Sequence, residues 1–159
     1  MRLAAAALLA IAFAAHGETL RVGSKRFTES YILGEVLVQA AQKAGATAEH
    51  KPGLGNTGIV FAALKAGSID LYPEYTGTIA KEILKLDGNP GIDELNRALQ
   101  PMGFGVAVPL GFSNSYALAM LDDKAQSLGI RTLSDLGKHP GLKLGLSQEF
   151  IGRSDGWPG

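Results

Sequence analysis

The sequence contains no cysteine, which excludes disulfides, thiolate metal sites and the lipidated cysteine that tethers a bacterial lipoprotein. It carries no net charge, 15 basic residues balancing 15 acidic ones, and no basic stripe, so nucleic acid is not expected as a partner. Histidine is scarce. His16, His50 and His139 lack any metal-ligand spacing, and neither a metal nor a cofactor is expected. Gly53-Leu-Gly-Asn-Thr-Gly58 misses the spacing of a dinucleotide loop and follows an edge-like strand, so it reads as a tight turn with Asn56 capping the next helix. No Ser/His/Asp or Cys/His set has a supporting context, and Glu74 is a single carboxylate without a partner for acid–base work. No catalytic residue is assigned.

Long apolar runs are also missing, except at the start. Residues 3–14 form an apolar stretch behind Arg2, of the length of a signal-peptide core and short of the ~20 residues that span a bilayer. Residues 1–17 are therefore expected to be a signal peptide. Cleavage after Ala15-His16-Gly17 would leave Glu18 first, with Ala12-Phe13-Ala14 as the rival site. Export to the periplasm follows, with no membrane insertion after cleavage.

With 159 residues, 46% of them hydrophobic, the chain can bury one core or begin two. Strands are predicted at 19–23, 46–51 and 69–72, and helices at 28–45, 57–67, 76–86 and 92–100. Thr28 is the expected cap of the first helix, and Ile32, Leu33, Val36, Leu37 and Ala40 mark its apolar spacing. This β-α-β-α-β-α rhythm predicts an α/β fold with a mainly parallel sheet and right-handed crossovers. Beyond Pro101 the character changes. Residues 105–108, 116–121 and 142–146 read as strands, with a short helix at 134–138 behind Thr132 and a domain crossover between 104 and 115.

The informative stretch is Asp70-Leu-Tyr-Pro-Glu-Tyr-Thr-Gly-Thr78, a strand that empties into a polar loop opening a helix. Open α/β sheets hold ligands at such places. The loop offers an aromatic face and two threonine hydroxyls, which suits grasping a small charged molecule rather than breaking one. Arg153, in a loop after a strand, has a planar fork able to hold two carboxylate oxygens at once. Lys25 adds positive charge at the mouth of the first strand.

Five motifs occur in order: Gly23-Ser-Lys-Arg-Phe-Thr-Glu-Ser-Tyr-Ile-Leu-Gly34, Gly53-Leu-Gly-Asn-Thr-Gly58, Asp70-Leu-Tyr-Pro-Glu-Tyr-Thr-Gly-Thr78, Asn114-Ser-Tyr-Ala-Leu-Ala119 and Glu149-Phe-Ile-Gly-Arg-Ser-Asp-Gly156. Together they make the chain resemble the substrate-binding proteins of osmoprotectant ABC importers, which carry glycine betaine, carnitine or choline. The resemblance implies a type II periplasmic binding fold of two α/β lobes, the first at 18–104 and a partial second at 105–159. The family is nearly twice as long, so the chain is expected to be an N-terminal fragment lacking the rest of the second lobe and the return of the first.

The resemblance also implies roles. Tyr75 and Tyr116 stand where the family has cage tyrosines for a quaternary ammonium group. Lys25, Thr78 and Arg153 match positions that bind the carboxylate. Asn114 lies where relatives often carry an acidic residue that meets the methyl groups through its backbone. The implied partners are a small quaternary ammonium ligand and the membrane permease of an ABC transporter. Tyr72 and Tyr31 are expected to pack within the protein. The rival readings are an exported binding protein for another small carboxylate or amino acid, and a small exported hydrolase.

Overall fold

The computed structural model describes residues 18–148, 150–153 and 156–157. The expected signal peptide at 1–17, with His16, lies outside them. Contacts within the chain gather into two compact units that divide between Pro73 and Glu74.

The first unit is built on β1 (Leu20–Gly23) and β2 (Ala48–Lys51), paired in parallel with Leu20 opposite Ala48 and Gly23 opposite Lys51. Two parallel strands need a crossover, and α1 (Thr28–Lys43) supplies it. The third strand expected at 69–72 is reduced to one bridge, Val22 to Leu71. It is fastened by Asp70 N–H to Arg21 C=O at 2.8 Å and Gly23 N–H to Leu71 C=O at 2.8 Å. Pro73 follows closely and has no N–H to continue the pairing.

Val22, Val38 and Ala48 form the core here, with Leu20, Leu37, Ala41 and Leu71 packed against it. The buried face of α1 is thus Ser30, Gly34 and Val38, whereas Ile32 and Val36 are more than half exposed. The expected apolar stripe is split, because part of the helix packs polar and small residues inward. Thr28 begins the helix rather than capping it; Phe27 is the cap residue, without a side-chain bond. Further along, α2 (Thr57–Lys65) starts as expected, with the Asn56 side chain accepting the Ile59 N–H at 3.2 Å. Gly53 and Gly55, at φ 67° and 148°, supply the left-handed turn before it.

The second unit begins with one turn of helix, α3 (Thr76–Thr78), that widens into a π-helical turn at Ile79–Ile83. The regular helix expected at 76–86 is therefore interrupted, and Lys85 closes it in a left-handed conformation (φ 55°). α4 (Ile92–Leu99) runs into a 3₁₀ turn at Gln100–Met102. Ile79, Ala80, Leu95 and Leu99 make the core of this unit, joined by Ile83, Leu84, Phe104 and Val106.

Helices α5 (Asp122–Leu128) and α6 (Leu133–Leu136) follow. The first was not foreseen. The second starts in a capping box between Thr132 and Asp135, as its threonine suggested. Residues 105–108, 116–121 and 142–146 are not strands. Alternating apolar residues define a face, but a strand also needs a neighbour to take its backbone hydrogen bonds, and none lies beside these segments among the described residues. No described helix is long and apolar enough to cross a membrane.

Candidate functional site

Five of the six residues singled out from the sequence fall in the second unit. Tyr75 precedes α3 with extended backbone, and its carbonyl accepts the Ile79 N–H at 2.9 Å, holding its backbone at the helix start. The phenol oxygen takes a hydrogen bond from the Asn114 amide at 3.3 Å. Thr78, three residues on and buried, accepts a hydrogen bond at 3.3 Å from Nη2 of Arg153, 75 residues away. The Arg153 guanidinium also lies 5.9 Å from the centre of the Tyr116 ring. Tyr116 in turn packs against Phe150, with ring centres 4.4 Å apart and planes tilted by 42°. Tyr75 is half-buried and Tyr116 is 59% exposed, so neither ring is enclosed in a core.

A tight turn presents Arg153. Phe150 N–H bonds to Ser147 C=O, Trp157 N–H to Phe150 C=O, and Gly156 N–H to Arg153 C=O, all within 3.1 Å. Gly152 sits at φ 82°, and a Cβ on Gly156 would collide with the Phe150 carbonyl. Both glycines are required by the turn. Arg153 is only 8% exposed. A buried guanidinium keeps its full charge, so the site offers a fixed cation bordered by a hydroxyl and an aromatic face.

Lys25 belongs to the first unit. It is 2% exposed, where a solvated surface lysine would be the commoner situation. Its ammonium donates to Thr57 Oγ1 at 3.1 Å, at the start of α2, and lies 5.9 Å from the Phe27 ring centre. An ammonium group and a helix N-terminus each favour a nearby anion.

Sequence reading missed the buried polar group around Lys25. Ser24 is fully buried; its Oγ lies 2.9 Å from His50 Nε2 and accepts the Gly53 N–H at 3.3 Å. Ser30 is also buried and accepts the Lys25 N–H at 2.8 Å. His50 Nδ1 faces Glu35 at 3.6 Å. A serine, a histidine and a carboxylate thus come together, a grouping that the sequence did not single out. With Ser24 wholly enclosed, no substrate carbonyl can reach its hydroxyl, and the arrangement is a structural brace. The available signal was Gly34, a glycine in mid-helix that asks for a packing reason. Phe150 was also overlooked as an aromatic neighbour of the site, although its motif had been noted. Among the described residues no three His, Asp or Glu side chains gather as a metal site.

The sequence profile for the substrate-binding domain of ABC-type glycine betaine transport systems matches residues 18–159. The chain belongs to this family. Its members are substrate-binding transport proteins rather than enzymes. This betaine-family domain is 37% identical to a glycine-betaine-binding protein of Pseudomonas aeruginosa, over 97% of the chain and 53% of that protein. It is 33% identical to the ergothioneine transport permease/ergothioneine binding protein EgtU of Helicobacter pylori, over 88% of the chain and 26% of the relative. Among solved structures, apo YehZ of Escherichia coli superposes with a TM-score of 0.56 at 29% identity, covering 89% of this chain and 54% of YehZ. The periplasmic-binding α/β fold expected from the sequence is the fold found. The chain spans about half the length, or less, of the relatives it matches.

Proposed function

We propose that this domain binds glycine betaine or a related trimethylammonium carboxylate in the periplasm and delivers it to the permease of an ABC importer. The trimethylammonium group has no N–H and cannot be recognised by hydrogen bonds. Its charge is spread over methyl carbons, which suits aromatic faces worth roughly 0.5–2 kcal/mol each. Tyr75 and Tyr116 take that role, with Asn114 steadying the Tyr75 hydroxyl. Arg153, Thr78 and Lys25 take the carboxylate. Residues 18–104 and 105–159 are assigned to successive lobes, and residues 1–17 to an export signal.

One observation carries this reading: the buried Arg153 guanidinium is bonded to the Thr78 hydroxyl and lies beside the ring of Tyr116. A cation suited to a carboxylate and a largely exposed aromatic ring thereby adjoin. Glycine betaine and ergothioneine, named for the relatives, share a trimethylammonium group and a carboxylate, and the paired chemistry fits both.

Calorimetric titration tests the proposal, with glycine as the control because it has the carboxylate but no methyl groups. Glycine betaine should bind and glycine should not. Tyr75→Ala should weaken betaine binding by at least about tenfold, the loss of one aromatic face in a water-excluding site. Equal binding of glycine, or unchanged betaine affinity in Tyr75→Ala, would overturn it, and preference for an unmethylated amino acid would establish the rival ligand class.

A further inference from the structure

We propose that His50 is a positioning residue for Lys25, acting through Ser24, and that Gly34 is the gap in α1 that admits its ring. The proposal rests on the carboxylate role given to Lys25 above. Ser24 immediately precedes Lys25 where β1 ends, and β2 and the turn after it both grip it. Its N–H bonds to Lys51 C=O at 3.2 Å, its C=O accepts the Leu54 N–H at 3.0 Å, and its Oγ meets both His50 and Gly53. His50 sets the rotamer of a fully buried side chain, and hence the course of the chain into Lys25. Beyond that point Lys25 is fixed at its backbone by Ser30 and at its ammonium by Thr57.

The ring reaches Ser24 only because α1 is thin at Gly34. A Cβ there would stand 2.5 Å from His50 Nε2 and within 3.2 Å of two ring carbons. Glycine is less favourable than alanine inside a helix, so α1 gives up local stability at the place where the imidazole passes. Glu35, the next residue, faces Nδ1 from the same helix. The imidazole thus joins α1 and β2 to the loop that carries the proposed ligand cation.

Amide hydrogen exchange by NMR on the whole chain tests this without any ligand. His50→Phe, which keeps a ring but no nitrogen, should speed exchange at Lys25 and Leu54 about tenfold, the loss of one hydrogen bond's support, with Val22 unchanged. Gly34→Ala should do the same despite its better helix propensity, because it displaces the ring. His50→Gln, whose amide can reach Ser24, should restore wild-type exchange. Adding Gly34→Ala to His50→Ala should change nothing further at Lys25. Unaltered exchange in both His50→Phe and Gly34→Ala, a Gln variant as loose as Phe, or an undiminished Gly34→Ala effect in the His50→Ala background would each overturn the proposal. Glycine betaine titration gives the second readout, with a several-fold weaker Kd expected for Gly34→Ala. If the wild type binds no betaine, the ligand assignment falls, while the exchange data still decide whether His50 positions the loop.

Discussion

The exit of β1 in the first unit and the stretch 105–121 in the second show opposite burial. Around Lys25, charged and polar side chains are almost wholly buried and cross-linked, with Ser24, Lys25 and Ser30 at 0–2% exposure. Along 105–121, Val108, Leu110, Phe112, Leu118 and Leu121 are 40–78% exposed. The β1 exit is polar and 105–121 mostly apolar, the reverse of what their burial would suggest, so the contrast lies in their neighbours. Near β1, a parallel strand and two helix starts supply partners from within about 35 residues of sequence. Along 105–121 the alternation marks a face to be covered, but no described strand runs beside it. Burial is a property of partnership, and hydrophobicity sets only the incentive.

The sharpest way to break that comparison is truncation on each side of it. Leu95 is fully buried against Ile79, Ala80 and Leu99. Leu95→Ala should cost about 2–5 kcal/mol through lost transfer energy and the cavity left behind. Val108 is 71% exposed, and Val108→Ala should cost less than about 0.5 kcal/mol. Denaturant unfolding of both variants decides the matter. Comparable losses would mean that Val108 is covered in solution, and the contrast would fail.

A smaller effect is expected where the exposed stretch is attached to the buried core. Asn96 on α4 treats Val106 as a strand would, its amide donating to the Val106 C=O at 3.1 Å and its carbonyl accepting the Val106 N–H at 2.6 Å. Asn96→Ala should cost roughly 1–3 kcal/mol by leaving two partly buried backbone groups unsatisfied. Asn96→Asp should also be destabilising, since a carboxylate would then face the Val106 carbonyl. Unchanged unfolding in both would show that the segment does not depend on this clamp.

Most local signals were legible in the sequence, the expected Thr28 cap excepted, and signals that depend on a distant partner were not. Asn56 before α2, the capping box at Thr132 and the glycines at 53 and 55 act within a few residues, and each was legible. The parallel pairing of β1 with β2 followed from a strand–helix–strand rhythm. The segments 105–108, 116–121 and 142–146 have strand-like residues, and residue type cannot say whether a neighbouring strand exists. For the candidate site, chemistry-bearing residue types in familiar motifs pointed to Tyr75, Thr78, Tyr116 and Arg153. Only the structure joined Thr78 to Arg153 across 75 residues, and only it brought His50, on the expected edge-like strand, against Ser24.

The smallest expected effect concerns the pair that fastens the short 69–72 segment to β1. Asp70 accepts from the Arg21 backbone N–H at 2.7 Å and from the Arg21 guanidinium at 2.7 and 3.1 Å. The guanidinium hydrogen bond, followed by the backbone one, holds the Asp70 carboxyl below the usual carboxylate range. A depressed value in the folded state means that this contribution is present above the ordinary aspartate range and is lost as pH falls through the folded value. Arg21 is raised by the same contact, and its loss would come only in strong alkali. About a third of each side chain is exposed, so solvent and salt screen the pair and limit its worth. Asp70→Asn should therefore lower the melting temperature slightly at pH 7, and the difference from wild type should shrink as pH is taken from 7 towards 3. A constant difference across that range would show that the carboxylate charge contributes nothing, leaving the backbone bonds to Arg21 and Leu71 as the whole of the attachment.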